Sequence, residues 1–136
     1  MGQLRNSNFL DGHITLILRP SDARLDTLYR NALFTIVPSF YEGWGLPVSE
    51  SLIRGKVCLA SDRGALVEAG QGLTGHFDPD NLNDVLEKIR PLMFETDTLT
   101  EMTKRVEAGF RETPWTFAAQ DMLQTFSASQ QKTPLS

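Results

Sequence analysis

Cysteine is almost missing from this chain of 136 residues: Cys58 stands alone, which excludes an internal disulfide framework. Histidine is as scarce. His13 and His76 lie far apart, and no Cys/His grouping has metal-ligand spacing. No apolar run approaches the roughly 20 residues that span a bilayer, and Met1 to Asp11 lacks the apolar centre of a signal peptide. No Lys/Arg cluster tracks a phosphate backbone, and the formal net charge is -4. Together these disfavour nucleic-acid binding. A cytoplasmic protein without a transmembrane segment is expected; peripheral contact with a membrane is compatible with it.

The residues that are present describe one ordinary domain. With 40% hydrophobic and 22% charged residues the chain reads as globular, and its length lets it bury about 68% of the surface exposed when unfolded. The run Ile14-Thr15-Leu16-Ile17-Leu18 predicts a buried strand ending before Arg19-Pro20. Ser21 suits the N-cap of a helix with Leu25, Leu28, Tyr29 and Ala32 on one face. Leu33-Phe34-Thr35-Ile36-Val37 predicts a second buried strand. A turn at Gly43–Gly45 opens a short helix through Arg54 that Gly55 closes, and Val57–Ala60 is a third strand. A loop at Ser61–Gly64, a brief helix at Leu66–Ala69 and an extended piece near His76-Phe77 follow.

Strands and helices in quick alternation predict an α/β fold with a parallel sheet. The remainder is predicted helical. Asp80 caps a segment with Leu82, Val85, Leu86 and Ile89 inward, ended or kinked by Pro91. Thr98–Glu101 has the form of a capping box for a helix with Leu99, Met102, Val106 and Phe110 inward. Thr113-Pro114 opens a last helix striped by Trp115, Ala119, Met122 and Phe126. The expected division is an α/β unit over 13–94 and helices over 95–127 packed on it. Segments 1–12 and 128–136 are expected to be poorly ordered.

Residues 38 to 54 carry the chemistry. In an open parallel sheet, ligands bind beyond the carboxyl ends of the strands, and the strand ending at Val37 delivers the chain there. Gly43 and Gly45 allow close backbone approach in front of a helix N-terminus, whose amides and dipole suit a phosphate. Glu42 and Glu50 bracket that position, with Glu50 about 6 Å along the helix at 1.5 Å per residue. A carboxylate is a poor neighbour for a phosphate but a good acceptor for hydroxyls. A phosphate flanked by two hydroxyl-rich groups is a nucleotide sugar.

In the form Glu42-Gly43-Trp44-Gly45-Leu46-Pro47…Glu50, this segment resembles the signature of retaining GT-B glycosyltransferases, in particular the GT4-type family. The flanks agree: Leu28-Tyr29…Ala32, Pro38-Ser39, Gly55, Ala60-Ser61, Gly64…Glu68, Phe77-Asp78-Pro79 and Trp115. The resemblance implies part of a GT-B C-terminal Rossmann-like domain. Glu42 would be the catalytic-site carboxylate, accepting hydrogen bonds from donor-sugar hydroxyls. The amides of Trp44, Gly45 and Leu46, with Gly43 in the same turn, would meet sugar and diphosphate. Glu50 would hold the ribose, and Arg19-Pro20 would lie on the nucleobase side. No cofactor and no metal are implied. The partners are a nucleotide sugar and an N-terminal acceptor domain, supplied in cis or in trans, in polysaccharide or glycolipid synthesis.

Departures from that pattern limit what is expected of the chain. Val57 and Val67 stand where the family usually has Pro, and the Lys and Arg that clamp the phosphates have no counterpart upstream of Ile14. The isolated chain is therefore expected to be inactive. The alternative is a non-catalytic nucleotide-sugar-binding module that completes a site with another chain. Blander roles weigh against individual residues: Trp44 as a core aromatic, Glu68 as a capping or exposed residue, Arg19 as a solvated loop residue, Cys58 as a small buried hydrophobe. Ser39 and Ser61 lack a nucleophile-elbow context.

Overall fold

A computed structural model describes residues 8–9, 13–112 and 123 of the chain. Among the described residues five strands and five helices follow one another: β1 (Asn8–Phe9), β2 (Ile14–Thr15), α1 (Asp22–Asn31), β3 (Phe34–Val37), α2 (Leu46–Ile53), β4 (Val57–Ser61), α3 (Ala65–Ala69), β5 (Gly75–Phe77), α4 (Leu82–Phe94) and α5 (Thr96–Gly109). The architecture is α/β and Rossmann-like: a three-stranded parallel sheet in the order β3-β4-β5, flanked by helices.

The central strand β4 is buried along its whole length, as expected for a parallel strand covered on both faces. Alternate side chains point to opposite faces, which separates two cores. Cys58 and Ala60 join Val37, Val48, Leu52, Leu66 and Val106 on one face. Val57 and Leu59 join Phe77 and Leu92 on the other, with Val85, Ile89, Leu99 and Met102 packed against them. Helix α5 serves both faces, Val106 in the first core and Leu99 and Met102 against the second. Cys58 is a small buried hydrophobe, and burial pushes its thiol pKa up.

Helix α2 is fixed to the sheet by a polar pair as well as by Val48 and Leu52. Ser51, fully buried, has its hydroxyl 2.6 Å from that of Thr35 and donates to the Lys56 carbonyl at 3.3 Å. Helix α1 buries no residue completely. It is tied to α2 by Arg54, which donates to Asp26 at 2.8 Å and to the Glu50 carbonyl at 2.8 Å, and lies 4.9 Å above the Tyr29 ring. Its guanidinium and that of Arg30 hold the Asp26 carboxyl below the usual carboxylate range, Arg30 most strongly.

Several local expectations are corrected. Ile14–Leu18 is not a buried strand: only Ile14–Thr15 is extended, paired antiparallel with Asn8–Phe9, and Ile14, Leu16 and Leu18 are exposed. The sequential parallel order gives the reason. The parallel sheet runs β3-β4-β5, so among the described residues Ile14–Leu18 has no place beside a parallel strand. Edge strand β3 therefore has a parallel neighbour on one side only, and Val37 is its one buried residue. Asp80 does not cap α4. Asn81 does, accepting from the amides of Asn83 and Asp84, while Asp80 pairs with Arg63.

The stripe of α4 is Val85, Ile89 and Leu92, which leaves Leu82 and Leu86 outward. Pro91 lies inside α4, which runs on to Phe94. The capping box at Thr98 is displaced: α5 begins at Thr96 after Glu95, and the Thr98 hydroxyl reaches back to the Glu95 carboxylate at 2.8 Å. The helix expected after Thr113-Pro114, its stripe and the order of 128–136 lie outside the described residues, as does the order of most of 1–12.

The two ends of the α4 stripe differ in burial, Leu92 being 4% and Leu82 70% exposed. Leu92→Ala is expected to cost about 2–5 kcal/mol of unfolding free energy, and Leu82→Ala to stay within about 0.5 kcal/mol. Urea denaturation of both variants checks the orientation of α4.

Candidate functional site

Three loops meet at the carboxyl edge of the sheet: residues 38–45 after β3, 62–64 after β4 and 78–81 after β5. The first carries the chain from Val37 to the start of α2, and its last residue sets the geometry. Gly45 is the N-cap of α2 at φ 70°, ψ 32°, a left-handed conformation that favours glycine. A Cβ there would stand 2.6 Å from the Ala69 Cβ and 3.2 Å from the Ala65 carbonyl oxygen. Gly45 is thus fixed twice, by its backbone angle and by the close approach of α2 to α3. Gly43 has neither constraint.

The first turn of α2 spends its donors unevenly. The amides of Val48 and Ser49 both donate to the Gly45 carbonyl, at 3.0 and 3.3 Å, and Pro47 has no N–H. The amides of Gly45 and Leu46 donate to no group among the described residues. A helix start with open amides is an anion-binding feature. Here it is two amides wide.

The two carboxylates sit on either side of this turn. Glu42, half-buried, accepts from the Ser39 hydroxyl at 3.0 Å. Glu50 lies one turn into α2, with Arg54 below it and Tyr29 beside it. Burial pushes the Tyr29 phenol up to about 12, reinforced by a hydrogen bond to the Glu50 carboxylate and by its charge. The same hydroxyl lies 3.5 Å from the Pro47 carbonyl.

A cleft of about 510 Å³ opens along the outer side of α2. Its floor is apolar, from Leu46, Ile53, Ala65, Ala69 and Phe110, and its polar lining includes Ser49, Glu50, Glu68, Gln71 and Glu112. Gly43 and Trp44 complete the lining. Three carboxylates and no Lys or Arg line it among the described residues, so the cleft suits hydroxyl groups better than phosphates.

Of the residues singled out in the sequence, Gly43, Trp44, Leu46 and Glu50 come together in this cleft. Gly45 lies beneath them, and Glu42 stands outside the lining, held by the loop after β3. Arg19 and Pro20 do not line the cleft; Arg19 is exposed and adopts φ 50°. Trp44 is 61% exposed, so it is not a core aromatic. Glu68 is exposed, as one of its two blander readings expected, and lines the cleft; it does not cap α3, whose N-cap is Gly64.

Sequence reasoning missed Ser49 and Ile53, although the signal was present. With Val48, Ser51 and Leu52 inward, the positions Leu46, Ser49, Glu50 and Ile53 form the opposite i, i+3, i+4, i+7 face. Tyr29 was also missed as a neighbour of Glu50, because its contact crosses from α1 to α2; Arg54, four residues on at the end of the same helix, was missed although its i, i+4 spacing signals the contact. Among the described residues no group of three or more His, Cys, Asp or Glu side chains could hold a metal ion, and no helix is long and apolar enough to cross a membrane.

Compared with known proteins, the chain matches the family model for glycosyl transferases group 1 over residues 3–108. No curated protein matches it.

Two measurements test the geometry. Gly45→Ala must adopt a left-handed backbone and push against Ala69, so it is expected to lose about 2–4 kcal/mol of stability, whereas Gly43→Ala changes it by less than about 1 kcal/mol. Denaturant melts of the two variants decide it. For Tyr29 the folded state favours the protonated phenol, so its contribution is complete below pH 10.0 and is lost as pH rises towards about 12. Ultraviolet titration should lose its component near 12 in Tyr29→Phe, and the stability lost over that range should shrink.

Proposed function

Since the chain belongs to the glycosyl transferases group 1 family, we propose that the carboxyl edge of its sheet is the donor side of a retaining, metal-independent glycosyltransferase of GT-B architecture and GT4 type. Its substrate is a nucleoside diphosphate carrying a hexose-type sugar, and its acceptor a glycan or glycolipid at the cytoplasmic side of synthesis. The observation that carries the reading is the pair Glu42 and Glu50 on either side of a helix start with open amides. Glu42 accepts hydrogen bonds from sugar hydroxyls. The turn Gly43–Leu46 brings backbone donors to the diphosphate, Glu50 accepts from the ribose, and Arg19-Pro20 faces the base when the site is complete.

Magnitudes limit what these residues achieve unaided. A helix N-terminus contributes about 0.3–1 kcal/mol to an anion, and up to about 2 in favourable sites. The carboxylates at Glu50, Glu68 and Glu112 and the net charge of -4 oppose a dianionic ligand. The expected donor affinity of the chain alone is millimolar at best, without sugar transfer. Cations and an acceptor-binding domain come from elsewhere, in the same or another polypeptide.

Saturation-transfer NMR detects binding this weak and resolves sugar from ribose protons. With uridine, guanosine and adenosine diphosphate sugars as probes, Glu50→Gln should reduce transfer to the ribose and Glu42→Gln transfer to the sugar. Hydrogen bonds to charged groups are worth about 1.5–3 kcal/mol, so each loss should be about tenfold or more in affinity. If neither substitution changes either signal, or if calorimetry gives a micromolar constant for the wild-type chain, the reading fails.

A further inference from the structure

Glu42 sits in the loop between β3 and α2. Its neighbours Phe40 and Tyr41 are 63% and 86% exposed, so burial of these two rings does not fix the path from Val37 to Glu42. Yet a carboxylate that is to choose between sugar hydroxyls must be held to within a fraction of an ångström.

Two serines supply the support. Ser61, the last residue of β4, is fully buried, and its hydroxyl donates to the Ser39 carbonyl. The Ser39 hydroxyl donates in turn to Glu42 Oε1 at 3.0 Å. Ser61 is itself backed by β5: its carbonyl lies 3.4 Å from His76 Nδ1, and His76 Nε2 lies 3.2 Å from the Thr74 hydroxyl. The result is a short polar strut from the most deeply buried strand to Glu42, independent of α2.

A buried hydroxyl at the end of an otherwise apolar strand has a cost unless it is bonded. This one spends its single proton on the neighbouring loop. The strut leaves Glu42 Oε2 without a bond among the described side chains, while Oε1 is fixed.

We propose that Ser61 and Ser39 are positioning residues for Glu42, setting the orientation of its carboxylate towards the sugar of a nucleotide sugar. The inference rests on the donor-site reading given above. It separates two parts of one ligand: the strut governs recognition of the sugar, while the α2 amides and Glu50 govern the nucleotide.

The test is the ratio of dissociation constants for a nucleoside diphosphate and its sugar conjugate, from NMR shift titrations of the whole chain with UDP and UDP-glucose, GDP and GDP-mannose, and ADP and ADP-glucose. Ser39→Ala and Ser61→Ala are expected to reduce the sugar-dependent gain in affinity by about three- to tenfold, the effect of loosening one charge-assisted hydrogen bond. Affinity for the bare diphosphate should be unchanged. Ser39→Thr keeps the hydroxyl and should keep the gain. Because Ser61 is buried, its alanine variant is compared only if its amide spectrum over α4 and α5 matches wild type; half-buried Ser39 carries the test otherwise.

A wild-type gain that survives Ser39→Ala overturns the positioning role and leaves the donor site standing. Equal loss for diphosphate and conjugate also overturns it, since that marks a general structural effect. No sugar-dependent gain in the wild type overturns the donor-site reading, and this one with it.

Discussion

The closeness of α2 to α3 at Gly45 is the constraint on which the carboxyl edge depends. With no side chain there, the first turn of α2 settles against Ala65 and Ala69, and the chain arrives in a left-handed conformation. That one approach brings the outer face of α2 alongside α3, and residues of both helices line the cleft. A larger residue at 45 or 69 would separate the two helices and widen the cleft, leaving the carboxylates without a common reference.

Polar side chains do the local fixing where apolar contacts run out. Thr35 and Ser51 join α2 to the sheet at a point where both sides are otherwise apolar. Arg54 ties α1 to the end of α2 through Asp26 and the face of Tyr29, although α1 buries no residue. Each of these contacts lies close to Glu42 or Glu50 in the chain or in space. The far face, with Val57, Leu59, Phe77 and Leu92, relies on apolar packing.

Much of this was legible in the sequence because it is local. Val57–Ala60 reads as a parallel strand from its apolar run, Ser21 as a cap from its hydroxyl, and Gly43–Gly45 as the turn that opens α2. What was misread depends on partners distant in sequence. Ile14–Leu18 has the composition of a core strand, but a strand needs a neighbour, and the parallel order puts none beside it. Asp80 and Asn81 are both good caps, and Arg63, seventeen residues back, claims the first. Leu82 and Leu86 fit a helical stripe as well as Val85 and Ile89 do, and only the position of the sheet chooses between them. Ser39 and Ser61 read in the sequence only as flanks of the motif, since their contacts come from the adjacency of two loops that a parallel sheet places side by side.

The burial of Cys58 has a practical consequence. It is the chain's one thiol, it lies within β4 with no exposed surface, and burial pushes its pKa up. A thiol-reactive label can therefore reach it only when the strand on which both cores rest has come apart. The rate of labelling is a direct clock for opening of the sheet. Comparing that clock with and without a ligand tells whether occupancy at the rim is felt at the centre.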